Sequence, residues 1–451
     1  MSHTSAHSSQ QPCREAIVLA VQQHPSQPTP LALAKVAGLS LAQHCLYRLQ
    51  AAGINRCTVV LGNHASQVRR HFEHIARSTT YGCHMQFVNV SDWQKGDGYS
   101  ILQAKKTIKS PCFLITSIQY LLPVELIQKM VTHHSSAPVC IAVDSDAASP
   151  DETDLLKLQL QDHQAVALGC KLPQWNGRYA GLMYATPALL CTMETCCQQH
   201  QYSLAEALTA QQSPIPTVDA AKLPWQRICN YADIKKAQRH LLAQLNKNKQ
   251  DGFFSQYIGR FVSSTLSVRL ASTGLTPNQI TCMGFVVILL AALLLATHSY
   301  PLQALGALVV VLACILDGCD GEVARLRCQQ TPYGAWLDTV LDRYADSLLT
   351  LAITWASFQH TPQAWIWLAG SSSALGFLLT SYTKKEYQLR HAHPYPHTTM
   401  ARLGQRDIRI ACMVTGALLG FPFAAVIAAG VLSHVVVLWI LLTGNFSAQA
   451  T

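Results

Sequence analysis

Three absences narrow the field before any motif is considered. Sixteen cysteines occur, yet there is no CxxC pair and no Cys/His spacing suited to zinc, so free thiols in a reducing compartment are expected. Charged residues are scarce, at 13% against the usual quarter, and mean hydropathy is positive. No dense Lys/Arg run or interleaved aromatic stripe accompanies the net charge of +9, so a nucleic-acid partner is not expected. Basic residues beside apolar spans point instead to anionic lipid and anionic substrates. The apolar run Ala16–Val21 is too short for a secretion signal, and it follows a Ser/His/Gln-rich start (1–12) that reads as disordered. The soluble half is therefore expected to stay in the cytosol.

The average composition hides a division. Residues 13–245 alternate buried-strand patterns (Ala16–Ala20, Cys57–Leu61, Cys112–Thr116, Val139–Val143) with helical ones (Ser40–Ala52, Ser66–Ile75). That alternation predicts an α/β Rossmann-like domain on a parallel or mixed sheet. A polar linker (246–252) and an amphipathic interfacial helix (253–272) lead into an all-α membrane domain, 273–446. Six spans are expected at about 278–297, 300–324, 334–357, 363–383, 407–423 and 425–445, each near the ~20 residues a bilayer needs. Connections on one side lack Lys and Arg, whereas those on the other hold Arg325, Arg327, Lys384, Lys385, Arg390, Arg402, Arg406 and Arg409. The positive-inside rule places both termini on the cytoplasmic side.

On that same side stand Asp317, Asp320, Asp338 and Asp342. Asp317 and Asp320 share one helix face, and Asp338 and Asp342 another. Two helices joined by a short turn could aim four carboxylates at one point, as hard divalent ions require; a two-metal pair suits phosphoryl chemistry. The alternative is a set of helix-end charges or structural ion pairs. Four uncompensated carboxylates near a membrane would be expensive, at roughly 2.5–3.5 kcal/mol each near the bilayer centre.

The pattern Asp317-x2-Asp320-Gly321-x2-Ala324-Arg325-x8-Gly334-x3-Asp338-x3-Asp342 matches every position of the CDP-alcohol phosphotransferase signature, and the second half resembles that family throughout. The resemblance implies six transmembrane helices, usually a homodimer, and transfer of a substituted phosphate from a CDP-alcohol to an acceptor hydroxyl with release of CMP. CDP-diacylglycerol is one donor the signature admits; the products would be phospholipids or polyol phosphodiesters. Two Mg²⁺ or Mn²⁺ ions are expected per site, on Asp317, Asp320 and Asp338, with Asp342 also near them and, by resemblance, the general base. Gly321 and Ala324 leave room for the nucleotide, Arg325 suits phosphate oxygens, and Gly334 permits close approach. Asn278, in Thr276-Pro277-Asn278, would contact the nucleotide. Lys384, Lys385, Arg406 and Arg409 are candidates for a phosphate-bearing acceptor, and the Arg-Asp-x-Arg run resembles members using inositol phosphate. Asp346 continues the Asp338–Asp342 face outside the signature, as polar support.

The first half resembles nucleotidyltransferases that make activated sugars and polyols, through Val36-Ala-Gly38, Ala52-Gly53-Ile54, Val59-Val-Leu-Gly62, Lys95-Gly-Asp-Gly-Tyr-Ser100 and Ala180-Gly181. It resembles the cytidylyltransferase half of archaeal bifunctional enzymes that make inositol-phosphate cytidylyl donors and di-inositol-phosphate phosphate. Four departures stand out. The Gly-rich loop is replaced by Val21–Pro30, which has three prolines and no glycine. The family's Pro-Lys is Pro30-Leu31, and its metal-binding Asp positions hold Ile118, Arg227 and Cys229. Together these imply a domain that kept its fold and lost its chemistry. Two other readings remain: a bifunctional enzyme whose first domain makes the CDP-polyol, and a non-enzymatic membrane scaffold or transporter.

Overall fold

The computed structural model describes residues 12–21, 30–78, 82–133, 137–146, 156–211, 213–247, 260–390 and 398–447. The chain divides into two compact units, Met1–Leu241 and Leu242–Thr451, so the division falls within the helix Tyr231–Lys247. Most of the expected linker, the first part of the expected interfacial helix and most of the Val21–Pro30 stretch lie outside the described residues; Asn246 and Lys247 instead end the helix Tyr231–Lys247.

The first unit is built on a nine-stranded mixed sheet. Its strand order is His84–Asn89, Arg56–Leu61, Glu15–Ala20, Phe113–Ser117, Gly177–Ala185, Val139–Asp144, Ile215–Asp219, Gln164–Gly169, Lys157–Gln161. The first four are mutually parallel, and Gly177–Ala185 runs antiparallel to both its neighbours. Every residue of Glu15–Ala20 is buried, as expected for a near-continuous apolar strand inside a parallel sheet. Glu15 is the exception in chemistry rather than position: its carboxylate accepts the backbone N–H groups of Lys109 (3.2 Å) and Ser110 (2.9 Å), which satisfies it. The expected helix after Ser40 spans Leu41–Ala51 and opens with a reciprocal Ser40/Gln43 capping box.

The second unit is a six-helix domain. Its helices, called first to sixth below, are Pro277–Leu295, Tyr300–Leu326, Pro332–His360, Ala364–Arg390, Arg406–Leu418 and Pro422–Ser447, with shorter helices at Arg260–Ala271 and Thr399–Leu403. All six long helices contribute to one core, including Ile288, Val310, Leu349, Phe377, Met413 and Val426. Close helix approach depends on small residues. A Cβ on Gly370 would lie 2.2 Å from Thr354 Oγ1, and one on Gly430 would lie 2.2 Å from Ser373 Oγ.

Among the described residues three helical segments are long and apolar enough to cross a membrane: Pro277–Leu295, Tyr300–Leu326 and Pro422–Thr443. This is fewer than the six spans expected, for physical reasons visible in the chain. The third helix carries Asp338, Asp342, Arg343 and Asp346, and the fourth carries the polar Ser371-Ser-Ser373 in its middle and Lys384-Lys385-Glu386 in its last two turns. The fifth is only 13 residues long, because Gly420 turns the chain at φ +83° before Pro422 starts the next helix. Large apolar side chains such as Val286, Leu293, Leu308, Leu368, Leu438 and Leu442 are exposed, as they would be on a surface facing lipid.

Candidate active site

The second helix carries Asp317 and Asp320 in its last three turns, and the third brings Asp338 and Asp342 into its second and third turns. Carboxylate oxygens of Asp317, Asp338 and Asp342 all lie within 4.8 Å of one another. Asp320 is turned aside from that trio. Its Oδ2 accepts from Thr281 Oγ1 at 2.5 Å, and its Oδ1 accepts from the Gly321 N–H. Thr281 belongs to the first helix, so this contact ties the first helix to the second at the site.

One guanidinium answers two of the three clustered carboxylates and a fourth beside them. Arg406, the first residue of the fifth helix, places Nη1 2.6 Å from Asp342 Oδ1 and 3.2 Å from Asp317 Oδ2, while its Nε lies 3.1 Å from Asp346 Oδ1. Asp346 also receives Arg343 at 3.2 Å and Arg409 at 3.4 Å. Arg409 is 2% exposed, donates to the Phe377 carbonyl (2.8 Å) and lies over the Phe377 ring. No ion pair to Asp338 occurs among the described residues. Hard oxygen donors crowded to this degree repel one another, and a divalent cation is the chemistry that relieves them. The donor set therefore fits a hard divalent ion; it specifies neither which ion nor how many.

The nucleotide-side candidates are also brought together. A Cβ on Gly334 would come within 3.0 Å of Asn278 Oδ1, so the start of the first helix and the first turn of the third meet there. Arg325 folds back over Gly321, where a Cβ would lie 3.4 Å from Arg325 Nη1. Its Nε and Nη2 are buried without a hydrogen-bond partner. Ala324 lies on the same stretch of the second helix. Lys384 and Lys385 are exposed toward the end of the fourth helix, and the ion pairs of the cluster come from arginines instead.

Three participants carry no sequence signal of their own. Thr281 and Arg343 could be found only by asking which neighbour a helical face would meet. Arg327 is 4% exposed and donates to the carbonyls of Leu275 (2.6 Å), Ala271 (2.9 Å) and Thr273, holding the turn that precedes Asn278. The basic residues of that connection read as topology markers, which concealed this role.

In the first unit the positions expected to bind metal carry none of that chemistry. Ile118 is 1% exposed, with its N–H on the Leu19 carbonyl. Leu31 is buried in a short 3-10 turn, and Arg227 pairs with Tyr120 across a two-stranded ribbon. The Cys229 N–H is taken by Asp233. Asp92 is exposed and paired with Lys95 at 2.6 Å. Burial pushes the Asp97 carboxyl above its ordinary range, with the Arg227 charge opposing.

Residues 274–444 match the CDP-alcohol phosphatidyltransferase family. Over 90% of its length the chain is 29% identical to the "Bifunctional IPC transferase and DIPP synthase" of Rubrobacter xylanophilus, covering 90% of that protein. It is 26% identical to the protein of the same name from Aquifex aeolicus, over 91% of this chain and 92% of that one. The solved inositol-1-phosphate CTP transferase from T. maritima is similar to 51% of this chain and 96% of its own, at 18% identity and a TM-score of 0.45.

Proposed function

We propose a specific course for the reaction of this chain, starting from the fact that its residues 274–444 form a CDP-alcohol phosphatidyltransferase-family domain. The chain is a transferase that moves a substituted phosphate from a CDP-alcohol to an acceptor hydroxyl. The single observation that carries the course of the reaction is the convergence of Asp317, Asp338 and Asp342 within 4.8 Å of one another. Arg325, with Gly321, Ala324, Gly334 and Asn278 around it, binds the CDP end. Asp342 accepts the proton of the acceptor hydroxyl. The acceptor oxygen then forms its bond to phosphorus as the bond to the CMP oxygen breaks, and CMP leaves with that electron pair. Asp317, Asp338 and Asp342, with Asp320 adjoining, would hold Mg²⁺ or Mn²⁺, two ions in this reading. Bound there, the ions neutralise the diphosphate and the leaving group.

The acceptor itself carries phosphate in this reading, and inositol phosphate is the first candidate. Arg406 and Arg409 supply the cations, with Lys384 and Lys385 at the rim. The membrane domain crosses the bilayer six times, keeps the site and both termini cytoplasmic and works as a homodimer. The first unit is a retained fold without nucleotidyltransferase activity, supported by the loss of Asp at positions 118, 227 and 229. One observation favours a second reading in which it is active: the relatives called bifunctional align over nine-tenths of the chain.

The decisive experiment follows radiolabelled CMP release from a panel of CDP-alcohols, including CDP-diacylglycerol, with several polyol phosphates as acceptors. No release from any pairing would sink the transferase course. Pyrophosphate release from CTP and inositol phosphate would instead establish the bifunctional reading.

A further inference from the structure

Asp346 lies one helical turn beyond Asp342, 4% exposed, outside the set of residues that would hold metal or nucleotide. Both of its oxygens are committed. Oδ1 accepts from Arg406 Nε, and Oδ2 takes Arg343 Nη1 and Arg409 Nη2. A carboxylate engaged by three guanidiniums has nothing left for a metal ion. Its geometry suits a different task. Arg406 is held at its Nε by Asp346, which leaves the far end of the same guanidinium at Asp342 and Asp317. Among the described contacts the other anchors of Arg409 are the Phe377 carbonyl and ring, both uncharged, so without Asp346 a nearly fully buried cation would lack its ion-pair partner there.

We propose that Asp346 is a positioning residue for the acceptor phosphate, acting through Arg406 and Arg409 and setting where their guanidiniums stand relative to the catalytic carboxylates. The inference rests on the phosphate-bearing acceptor of the reading above. The charge balance explains why a carboxylate is needed. Three guanidiniums from two helices converge on this point and repel one another, and Asp346 is the anion that all three share. Remove its charge and Arg406 has only Asp342 and Asp317 to turn to, drawing it away from an incoming phosphate. The nucleotide-side residues Arg325, Gly321, Asn278 and Gly334 make no ion pair or hydrogen bond with Asp346 among the described contacts. The defect should therefore be selective for one substrate, whereas a purely structural role would not be.

The test uses full-length protein in detergent, with CDP-diacylglycerol as donor probe and myo-inositol 1-phosphate as acceptor probe. Asp346→Asn keeps shape and removes charge; Asp346→Glu keeps charge and displaces it. Thermal unfolding identifies which variants are folded. In a folded variant the acceptor KM should rise roughly 10–100-fold while the donor KM stays within about twofold, with Asn worse than Glu. Should both fail to fold, the role is structural and the proposal falls. It also falls if a folded variant keeps the wild-type acceptor KM, or if both KM values move together. Wild-type protein that releases CMP only with unphosphorylated acceptors would remove the acceptor reading, and this inference with it; CMP release by the wild type tells the two failures apart.

Discussion

In the first unit, Asp144 is bound by Arg178 through Nε (3.1 Å) and Nη2 (2.9 Å) and by the Trp225 indole N–H at 3.2 Å, while Asp219 accepts from Ser145 and the Ala221 N–H. Asp233 caps its helix by accepting from the N–H groups of Cys229 and Asn230. Each of these carboxylates is matched by its own donors and does structural work. In the second unit, Asp317, Asp338 and Asp342 crowd together, and the end of one guanidinium serves Asp317 and Asp342. The difference shows what separates a supporting carboxylate from a functional one. Satisfied negative charge holds a fold together, whereas negative charge left in excess at a point is kept for something that binds there.

The strongest way to break this comparison is to withdraw the cation. Chelation with EDTA should bring CMP release to background, and Mg²⁺ or Mn²⁺ should restore it; release that persists through exhaustive chelation would refute the metal reading. Next comes substitution of matched carboxylates. Asp338→Asn and Asp342→Asn should each lower kcat by at least about 10³-fold, in line with losing a metal ligand or a general base. Asp144→Asn, in the first unit, should leave CMP release within about twofold of wild type. Equal losses at the two places would erase the distinction between the units. Arg325→Lys sharpens the nucleotide side. Lysine keeps the charge but not the fork, so the donor KM should rise roughly tenfold with the acceptor KM unchanged.

Much of this site was legible because its signature lies on two helices, where spacing alone fixes which residues share a face. Asp317 with Asp338 and Asp342 follows from that periodicity and a short turn, whereas Asn278 entered only through the family resemblance. What spacing leaves undetermined is which way a side chain turns once a neighbour competes for it. Asp320 belongs to the same pattern, yet Thr281 draws its carboxylate away from the cluster. Arg406 and Arg409 are two i,i+3 cations in sequence; only the ion pairs that reach from the fifth helix to the third reveal that Asp346 holds both. Span counting met the same limit. The third helix is apolar on its core side and charged at its site end, so no window of it reads as lipid-soluble even though Leu349 and Ile353 lie in the same core as the first two helices. The first unit's strands were legible from unbroken apolar runs, whereas its later antiparallel strands, such as Lys157–Gln161 with its part-polar face, were not.

The smallest expected effect concerns stability in the first unit and needs no substrate. His44 is 1% exposed. Arg48 Nη1 donates to its Nδ1 at 2.6 Å, so Nε2 carries the proton and donates to the Val36 carbonyl at 2.8 Å. Burial, reinforced by the Arg48 charge, lowers its pKa from 6.5 to about 3. The unfolded chain therefore takes up a proton below about pH 6.5 that the folded chain refuses. Stability from this group is complete above pH 6.5 and declines as pH falls toward 3, by about 1.4 kcal/mol per pH unit. Thermal unfolding of the full-length protein at pH 7.5 and 5.0 should show that loss in the transition of the first unit. His44→Gln, which cannot titrate, should flatten the slope while lowering stability at pH 7.5. A slope unchanged by the substitution would mean that the buried imidazole is not what makes this unit acid-sensitive.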